Sequence, residues 1–203
     1  MTIMLVCREH PLRGRIEAHI QDIFADRYSA DVTEFPERLA AIMAADGTPI
    51  CAAGVRTSRD GFFSESYLDL PAERALAVAS RQVVRRKEII EVSSLASIHA
   101  GSAFLLLHAI ITVGRKSGNK WGLFTATSVV RRALRVAGMA TVELATAAPQ
   151  AVANPDQWGS YYEHDPVVCA LYDCPEEPLQ FAPARNVYLT LPVMAPVSRQ
   201  APR

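Results

Sequence analysis

Several kinds of functional motif are missing from this sequence. Its four cysteines, at positions 7, 51, 169 and 174, lack the spacing of a metal or redox site, and its five histidines form no ligand set. No apolar run is long enough to cross a bilayer, and the first residues lack the length and basic flank of a signal peptide. We therefore expect a cytoplasmic protein with no metal site and no transmembrane segment.

Net charge is absent as well. The 21 Lys and Arg residues balance 21 Asp and Glu residues, so the charge predicts no nucleic-acid partner. Two local basic clusters break the balance, and they are either solvated faces or docking surfaces for an acidic carrier protein or a nucleotide phosphate. The clusters consist of Arg81, Arg85, Arg86 and Lys87, and of Arg131, Arg132 and Arg135.

The length and hydropathy of the chain predict one main domain. Its 203 residues, half of them hydrophobic, suffice for a substantial core, and no internal repeat divides them. We expect a single domain over residues 1–175. A proline-rich extension follows over residues 176–203, with one strand-like stretch at 187–191 and a mobile end.

Hydrophobic periodicity predicts the elements of that domain. Apolar residues at helical spacing predict an amphipathic helix over residues 11–28, and Asp46-Gly47 between two apolar runs predicts a β-hairpin over 39–56. Between residues 88 and 145 the predicted strands and helices alternate along the chain. This order implies right-handed crossovers and a sheet whose centre is largely parallel. The fold class is therefore α/β (α+β), with a mixed, centrally parallel sheet flanked by helices. Further strands are expected at 62–68, 88–95, 121–126, 141–144 and 167–172, and further helices at 71–80, 101–116 and 128–136, the last of these capped by Ser128.

Glu91 is the most informative residue of the chain. It lies inside the predicted buried strand 88–95, where a charge is costly unless it is paired or used. A small-residue turn at 100–103 and a long apolar helix follow, and the first N–H groups of a helix favour an anion. A candidate base thus lies beside a candidate phosphate site, which suggests acyl transfer from a pantetheine thioester. The alternatives are a structural ion pair with Arg56 or Arg86, and a substrate-binding role.

This order of elements resembles the GNAT acyltransferase fold, and thus implies a GNAT-like sheet. The phosphate-binding turn of that family has the form Gln/Arg-x-x-Gly-x-Gly/Ala. Residues 98–103 keep Gly101 and Ala103, but Ile98 occupies the first position.

The layout is also similar to that of acyl-homoserine-lactone synthases, whose strand signature is Glu-Leu-Ser-Arg-Phe-Ala. Here Ser94 replaces the signature arginine, and Ala30 stands where those enzymes place a tryptophan. The similarity rests on residues 24–27 (FADR), 54–56 (GVR), 62–65 (FFSE) and 91–96 (EVSSLA).

Over about residues 23–172 the sequence is identified as a member of the thermostable hemolysin family. The name of that family describes a lytic phenotype and not a chemical activity. The identification rests on residues 63–69 (FSESYLD), 90–92 (IEV), 95–96 (LA), Trp121, 124–127 (FTAT), 158–162 (WGSYY) and 165–167 (DPV).

These resemblances imply an N-acyltransferase that moves an acyl group to a small amine or amino acid, with Glu91 as general base. The donor is expected to be acyl-carrier protein more than coenzyme A, because Ile98 replaces the side chain that a nucleotide would need. No tightly bound cofactor is expected. The alternative functions are a membrane-active hemolysin or toxin, and a catalytically inactive GNAT-fold binding module.

The expected site residues fall into three groups. Strand alternation would place Phe63, Glu65 and Tyr67 on one face, with Glu65 holding the ammonium group of the acceptor and Tyr67 donating a hydrogen bond. The alternative for this segment is an edge strand with ordinary polar side chains. Trp158, Tyr161 and Tyr162 could form the floor of an acyl pocket, or belong to an ordinary core. The donor is expected to contact the backbone of Leu95 and Ser97, the turn Gly101, Ser102 and Ala103, and the side chains of Arg131 and Arg132. The substrate is expected to contact Phe63, Ser93, Thr125, Thr127, Trp158 and Tyr161.

Overall fold

The computed structural model describes residues 1–173 and a two-residue strand at 188–189. Its four α-helices are α1 (Arg13–Tyr28), α2 (Ala72–Ser80), α3 (Ala100–Lys116) and α4 (Ser128–Val136). Its strands are β1 (Thr2–Val6), β2 (Arg38–Met43), β3 (Pro49–Thr57), β4 (Ile89–Ser97), β5 (Trp121–Ala126), β6 (Thr141–Thr146), β7 (Val167–Tyr172) and β8 (Tyr188–Leu189). Short 3-10 helices lie at Phe63–Tyr67, Arg86–Glu88, Pro149–Ala151, Pro155–Trp158 and Tyr161–His164.

One mixed sheet organises these strands, in the order β6-β7-β5-β4-β3-β2-β1-β8. The neighbours β4 and β5 are parallel, and β8 is parallel to β1. The remaining neighbours are antiparallel. The predicted fold class is thus confirmed. The parallel centre is narrower than expected, because the buried strand β7 lies between β5 and β6 and binds both.

Helices cover both faces of the sheet, because side chains along a strand alternate between its faces. On one face α1 packs on Leu39 and Ala52, and α2 packs on Leu123. On the opposite face α3 and α4 pack on Val92 and Phe124. We call these the α1 face and the α3 face. Among the described residues, no helix has both the length and the hydrophobicity that a membrane crossing requires.

Most of the expected elements are present, with three differences. The predicted strand at 62–68 is a 3-10 helix, because the carboxylate of Glu91 binds its first N–H groups. Strand β1, which pairs with β2 and β8, was not predicted. Thr127 and not Ser128 occupies the N-cap position of α4, and no side-chain hydrogen bond caps the helix. Apart from β8, the predicted C-terminal extension lies outside the described residues.

Candidate active site

A cleft opens where β4 and β5 separate. Their pairing ends at Val92 and Phe124, although β4 continues to Ser97. The pairing of β3 with β4 shifts register in the same region, and Ser94 adopts a positive φ of 47°. A bulge of this kind bends a strand and increases its twist. The last residues of β4 consequently have no strand partner on their β5 side.

The cleft reaches both faces of the sheet through this gap. Aromatic rings line it on the α1 face, and apolar side chains of α3 and α4, most of them aliphatic, line it on the α3 face. Glu91, Arg56 and Thr125 also border it. The aromatic group comprises Phe24, Tyr28, Phe63, Tyr67, Trp158 and Tyr161, and the opposite group includes Phe104, Leu107, Val130 and Leu134.

Glu91 is held firmly at the edge of this cleft, with only 1% of its side chain exposed. Its Oε2 atom accepts the backbone N–H of Phe63 at 2.7 Å, and its Oε1 atom accepts that of Ser64 at 2.7 Å. The Nε atom of Arg56 lies 4.0 Å from Oε2. Burial raises the pKa of Glu91, while the hydrogen bonds from Ser64 and Phe63 and the charge of Arg56 act in the opposite direction.

Hydroxyl groups of Ser64, Tyr67, Thr125 and Tyr161 border the same cleft as this carboxylate. The hydroxyls of Ser64 and Thr125 are 3.0 Å apart, and those of Tyr67 and Tyr162 are 2.9 Å apart. Tyr161 donates a hydrogen bond of 3.4 Å to the carbonyl of Thr125. Burial raises the pKa of both Tyr67 and Tyr161, so these phenols stay protonated and can donate hydrogen bonds at neutral pH.

Glu65 lies away from the cleft, contrary to the sequence prediction. Within the 3-10 helix its side chain does not share a face with Phe63 and Tyr67. Its Oε2 atom accepts a hydrogen bond of 2.7 Å from Arg86, and its Oε1 atom accepts the N–H of Ala72 at the start of α2. The hydrogen bond from Arg86 lowers the pKa of Glu65. Glu65 is therefore an anchor between elements and not a ligand for the acceptor.

The expected donor-binding turn lies at the mouth of the cleft. Leu95 and Ala103 border the cleft, while Ser97 is buried and its carbonyl accepts a hydrogen bond of 2.7 Å from Arg27. The N–H of Ser102 binds the carbonyl of His99 at 3.1 Å. A Cβ atom on Gly101 would contact nothing within 4 Å, so protein packing alone does not require glycine there.

The second basic cluster, on α4, is only partly available to a ligand. Arg131 has 12% of its side chain exposed and binds Asp165 at 2.6 Å and Glu143 at 3.4 Å. It also donates to the carbonyl of Ala126. Arg131 therefore connects α4 to its neighbours and is not free to bind a phosphate, contrary to the sequence prediction. Arg132 and Arg135 are exposed.

The first basic cluster is remote from the expected donor site. Arg86 binds Glu73 at 3.0 Å in addition to Glu65, and its guanidinium lies 4.6 Å from the ring centre of Phe62. The cluster precedes β4, whereas the turn at 101–103 follows it. The nine residues of β4 separate the two by about 26 Å at about 3.3 Å per residue.

The six expected substrate-binding residues are brought together. Phe63, Ser93, Thr125, Thr127, Trp158 and Tyr161 all line the cleft. The sequence prediction missed several others, among them Phe24, Tyr28, Ser64 and Leu107. The spacing of Phe24 and Tyr28 on one helix face was the available signal for these two.

Comparisons with known structures identify the fold of the chain. The chain is similar to the acyl-homoserine lactone synthase LasI, with a TM-score of 0.57 at 12% identity over 84% of this chain and 88% of that one. It is similar to MesI, a CoA-dependent acyl-homoserine lactone synthase, with a TM-score of 0.52 at 15% identity over 86% and 90%. It is also similar to FeeM, an N-acyl amino acid synthase from uncultured soil microbes, with a TM-score of 0.55 at 12% identity over 83% and 94%.

These likenesses confirm the GNAT-like architecture, and at such identities they establish the fold alone. A search of curated proteins gave no significant match. The family model for thermostable hemolysin matches residues 6–173, which confirms the resemblance seen in the sequence. The chain therefore belongs to the thermostable hemolysin family.

Proposed function

We propose that the protein is an N-acyltransferase, which moves an acyl group from a pantetheine thioester to a small amine or amino acid. One observation carries this proposal: the unpaired end of β4 runs beside a buried carboxylate, Glu91, in a cleft that reaches both faces of the sheet. An extended amide chain can pair with such a strand end. The acyl-transferring enzymes named among the similar structures agree with this assignment.

The donor would approach from the α3 face. Backbone groups of Leu95 and Ser97 would bind the amides of the pantetheine, and its phosphate would lie at the N-terminus of α3, where free N–H groups favour an anion. We favour a carrier-protein donor, since Ile98 offers nothing to a nucleotide. Of the two basic clusters, the exposed Arg132 and Arg135 on α4 are the better placed for such a protein.

Glu91 would serve as general base. The amine nitrogen attacks the thioester carbonyl, and its proton passes to Glu91 directly or through a water molecule. The C–N bond forms, the C–S bond breaks, and the sulfur leaves as a thiol after gaining a proton. Tyr67 would donate a hydrogen bond in the cleft.

The direct test is intact mass spectrometry of the protein supplied with acyl-carrier-protein or coenzyme A thioesters and pooled amines and amino acids. We expect loss of the thioester together with an acylated amine, faster with the carrier protein. A folded sample that consumes neither thioester would contradict the proposal.

Replacing the proposed base tests its role. Glu91→Gln keeps the volume of the side chain but cannot accept a proton, so kcat should fall about 100-fold or more. Glu65→Gln provides the matched control, because Glu65 lies outside the cleft, and its kcat should change little. Circular dichroism of both variants checks that each is folded.

A second candidate function is a binding module without catalysis. The contacts of Glu91 favour it, because two backbone N–H groups and Arg56 give this carboxylate a structural role already. Thioester binding without turnover, or equal turnover by Glu91→Gln and wild type, would support another role for Glu91.

A further inference from the structure

Arg56 has an unsatisfied hydrogen-bond donor at the cleft. Its Nε–H group is buried and has no acceptor in the part of the chain that the structure describes. The side chain is 23% exposed and borders the cleft. Arg13, whose side chain is only 6% exposed, by contrast binds the carbonyls of Pro36 and Glu37. A buried donor without a partner costs stability, so Arg56 is better explained by an acceptor that arrives with a ligand.

The charge opposite Arg56 is fixed by the sheet. Arg56 and Glu91 are direct cross-strand partners on β3 and β4, so both side chains project from the α1 face. Their closest charged atoms are 4.0 Å apart, which is longer than a charge-assisted hydrogen bond. A positive and a negative group are thus presented side by side, without fully neutralising each other.

We propose that Arg56 and Glu91 form a recognition site for an α-amino acid, Arg56 binding its carboxylate and Glu91 its amino group. If the protein is the proposed acyltransferase, on which this inference rests, an α-amino acid is its acceptor. An α-amino acid carries its two charged groups on one carbon, so they are spaced like this pair. A guanidinium is suited to a carboxylate because its N–H donors form a planar fork.

The walls of the cleft predict the side chain of this amino acid. The rings of Phe63 and Trp158 lie 5.7 Å apart, and those of Phe24 and Trp158 lie 6.3 Å apart. The charged Glu34 is exposed at the rim. An apolar or aromatic side chain therefore fits the interior better than a charged one.

Calorimetric titration of the wild-type protein tests the site without depending on turnover. The probes are phenylalanine and leucine, each compared with the amine that lacks its carboxylate, phenethylamine and isopentylamine. Titrations are made with and without coenzyme A. We expect each amino acid to bind about tenfold or more tightly than its amine, as the loss of a charged hydrogen bond implies.

Variants of Arg56 make the test specific. Arg56→Gln should abolish the preference for the amino acid, and Arg56→Lys should keep part of it, because a charge remains without the fork. Arg59→Gln is the matched control, since Arg59 is exposed on the same segment and does not border the cleft. Thermal unfolding of each variant checks that it is folded.

The outcomes separate this inference from the proposed acyl transfer. Three results would overturn the inference. The wild-type protein could bind amino acid and amine with equal affinity, the preference for the amino acid could survive in Arg56→Gln, or neither amino acid could bind. Efficient acylation of amines that lack a carboxylate would also overturn it, yet would leave acyl transfer intact. Arg56-dependent binding with no acylation from any thioester would support the site and contradict the transferase.

Discussion

Two glutamates, of which Glu91 is buried and Glu65 half-buried, show how a carboxylate can organise its surroundings. Glu91 accepts the N–H groups of Phe63 and Ser64, and Glu65 accepts that of Ala72. Both therefore satisfy backbone donors at helix starts, where donors have no partner within the helix. Only Glu91 borders the cleft, so only Glu91 combines this structural role with access to a substrate.

The contacts of Glu65 predict a pH-dependent effect on stability. Because Arg86 lowers the pKa of Glu65, the folded state favours its charged form. This contribution is present above the ordinary pKa of a glutamate and is lost as the pH falls through the lowered value. Glu65→Gln should therefore reduce the free energy of unfolding by about 1–2 kcal/mol at neutral pH, and the difference should shrink in acid.

Urea unfolding at neutral and acidic pH measures this difference. Asp26→Asn, on an exposed side chain, controls for the removal of one carboxylate. A difference between Glu65→Gln and wild type that stays constant down to strongly acidic pH would contradict the assigned role of the Glu65–Arg86 pair.

At the scale of elements, the aromatic wall of the cleft includes, besides the 3-10 helix at 63–67, two further segments that are distant in sequence. The end of α1 supplies Phe24 and Tyr28, and the segment near residue 160 supplies Trp158 and Tyr161. Backbone hydrogen bonds hold the two together, from Ser160 to the carbonyl of Tyr28 at 2.8 Å and from Asp31 to the carbonyl of Gln157 at 2.6 Å. The wall depends on this close backbone contact.

Gly159 permits that contact. It has a positive φ of 50°, and a Cβ atom there would lie 2.0 Å from the carbonyl oxygen of Tyr28. Gly159→Ala should lower the free energy of unfolding by about 2 kcal/mol or more, through the clash and the disfavoured φ. Gly14→Ala is the control, because a Cβ in that helix would contact nothing within 4 Å and should stabilise by about 0.5–1 kcal/mol. Thermal unfolding compares the two, and a tolerated Gly159→Ala would mean that the segment is not fixed on α1.

At the scale of the whole molecule, the cleft divides the proposed reaction between the two faces of the sheet. Mostly aliphatic residues of α3 and α4 border it on the α3 face, and a group of aromatic residues borders it on the α1 face. The gap between β4 and β5 connects the two sides. Substitutions on the α3 face should therefore affect the binding of the acyl donor. Substitutions on the α1 face should affect the binding of the acceptor.

Paired variants test this division. Leu107→Phe narrows the cleft on the α3 face. It should shift the products towards shorter acyl chains, with little change in the KM of the acceptor. Trp158→Ala removes an aromatic wall on the α1 face and should raise the KM of the acceptor several-fold, as the loss of a stacked ring implies, without changing chain preference. Product mass spectra with mixed-chain donors measure both effects. The reverse pattern would contradict the assignment of the two faces.

The regular elements could be predicted from the amino-acid order, and so could many of the side chains that line the cleft. Hydrophobic period and turn residues located the four α-helices and most strands, because those signals are local. The buried Glu91 and the six residues predicted to bind substrate also followed from the sequence and its family resemblance, and the structure brings them to one cleft. The parallel pairing of β4 with β5 followed from the crossover rule.

The tertiary structure decided what depends on distant partners. The segment at 63–67 is a 3-10 helix and not a strand, because a carboxylate almost thirty positions away holds its N–H groups. Glu65 and Arg131 bind within the protein and not to ligands, because their partners come from other elements. Strand pairing likewise inserts β7 between β5 and β6. The sequence had left both Arg56 and Arg86 open as partners of Glu91, and strand pairing places Arg56 opposite it, because pairing joins segments that are far apart in the chain.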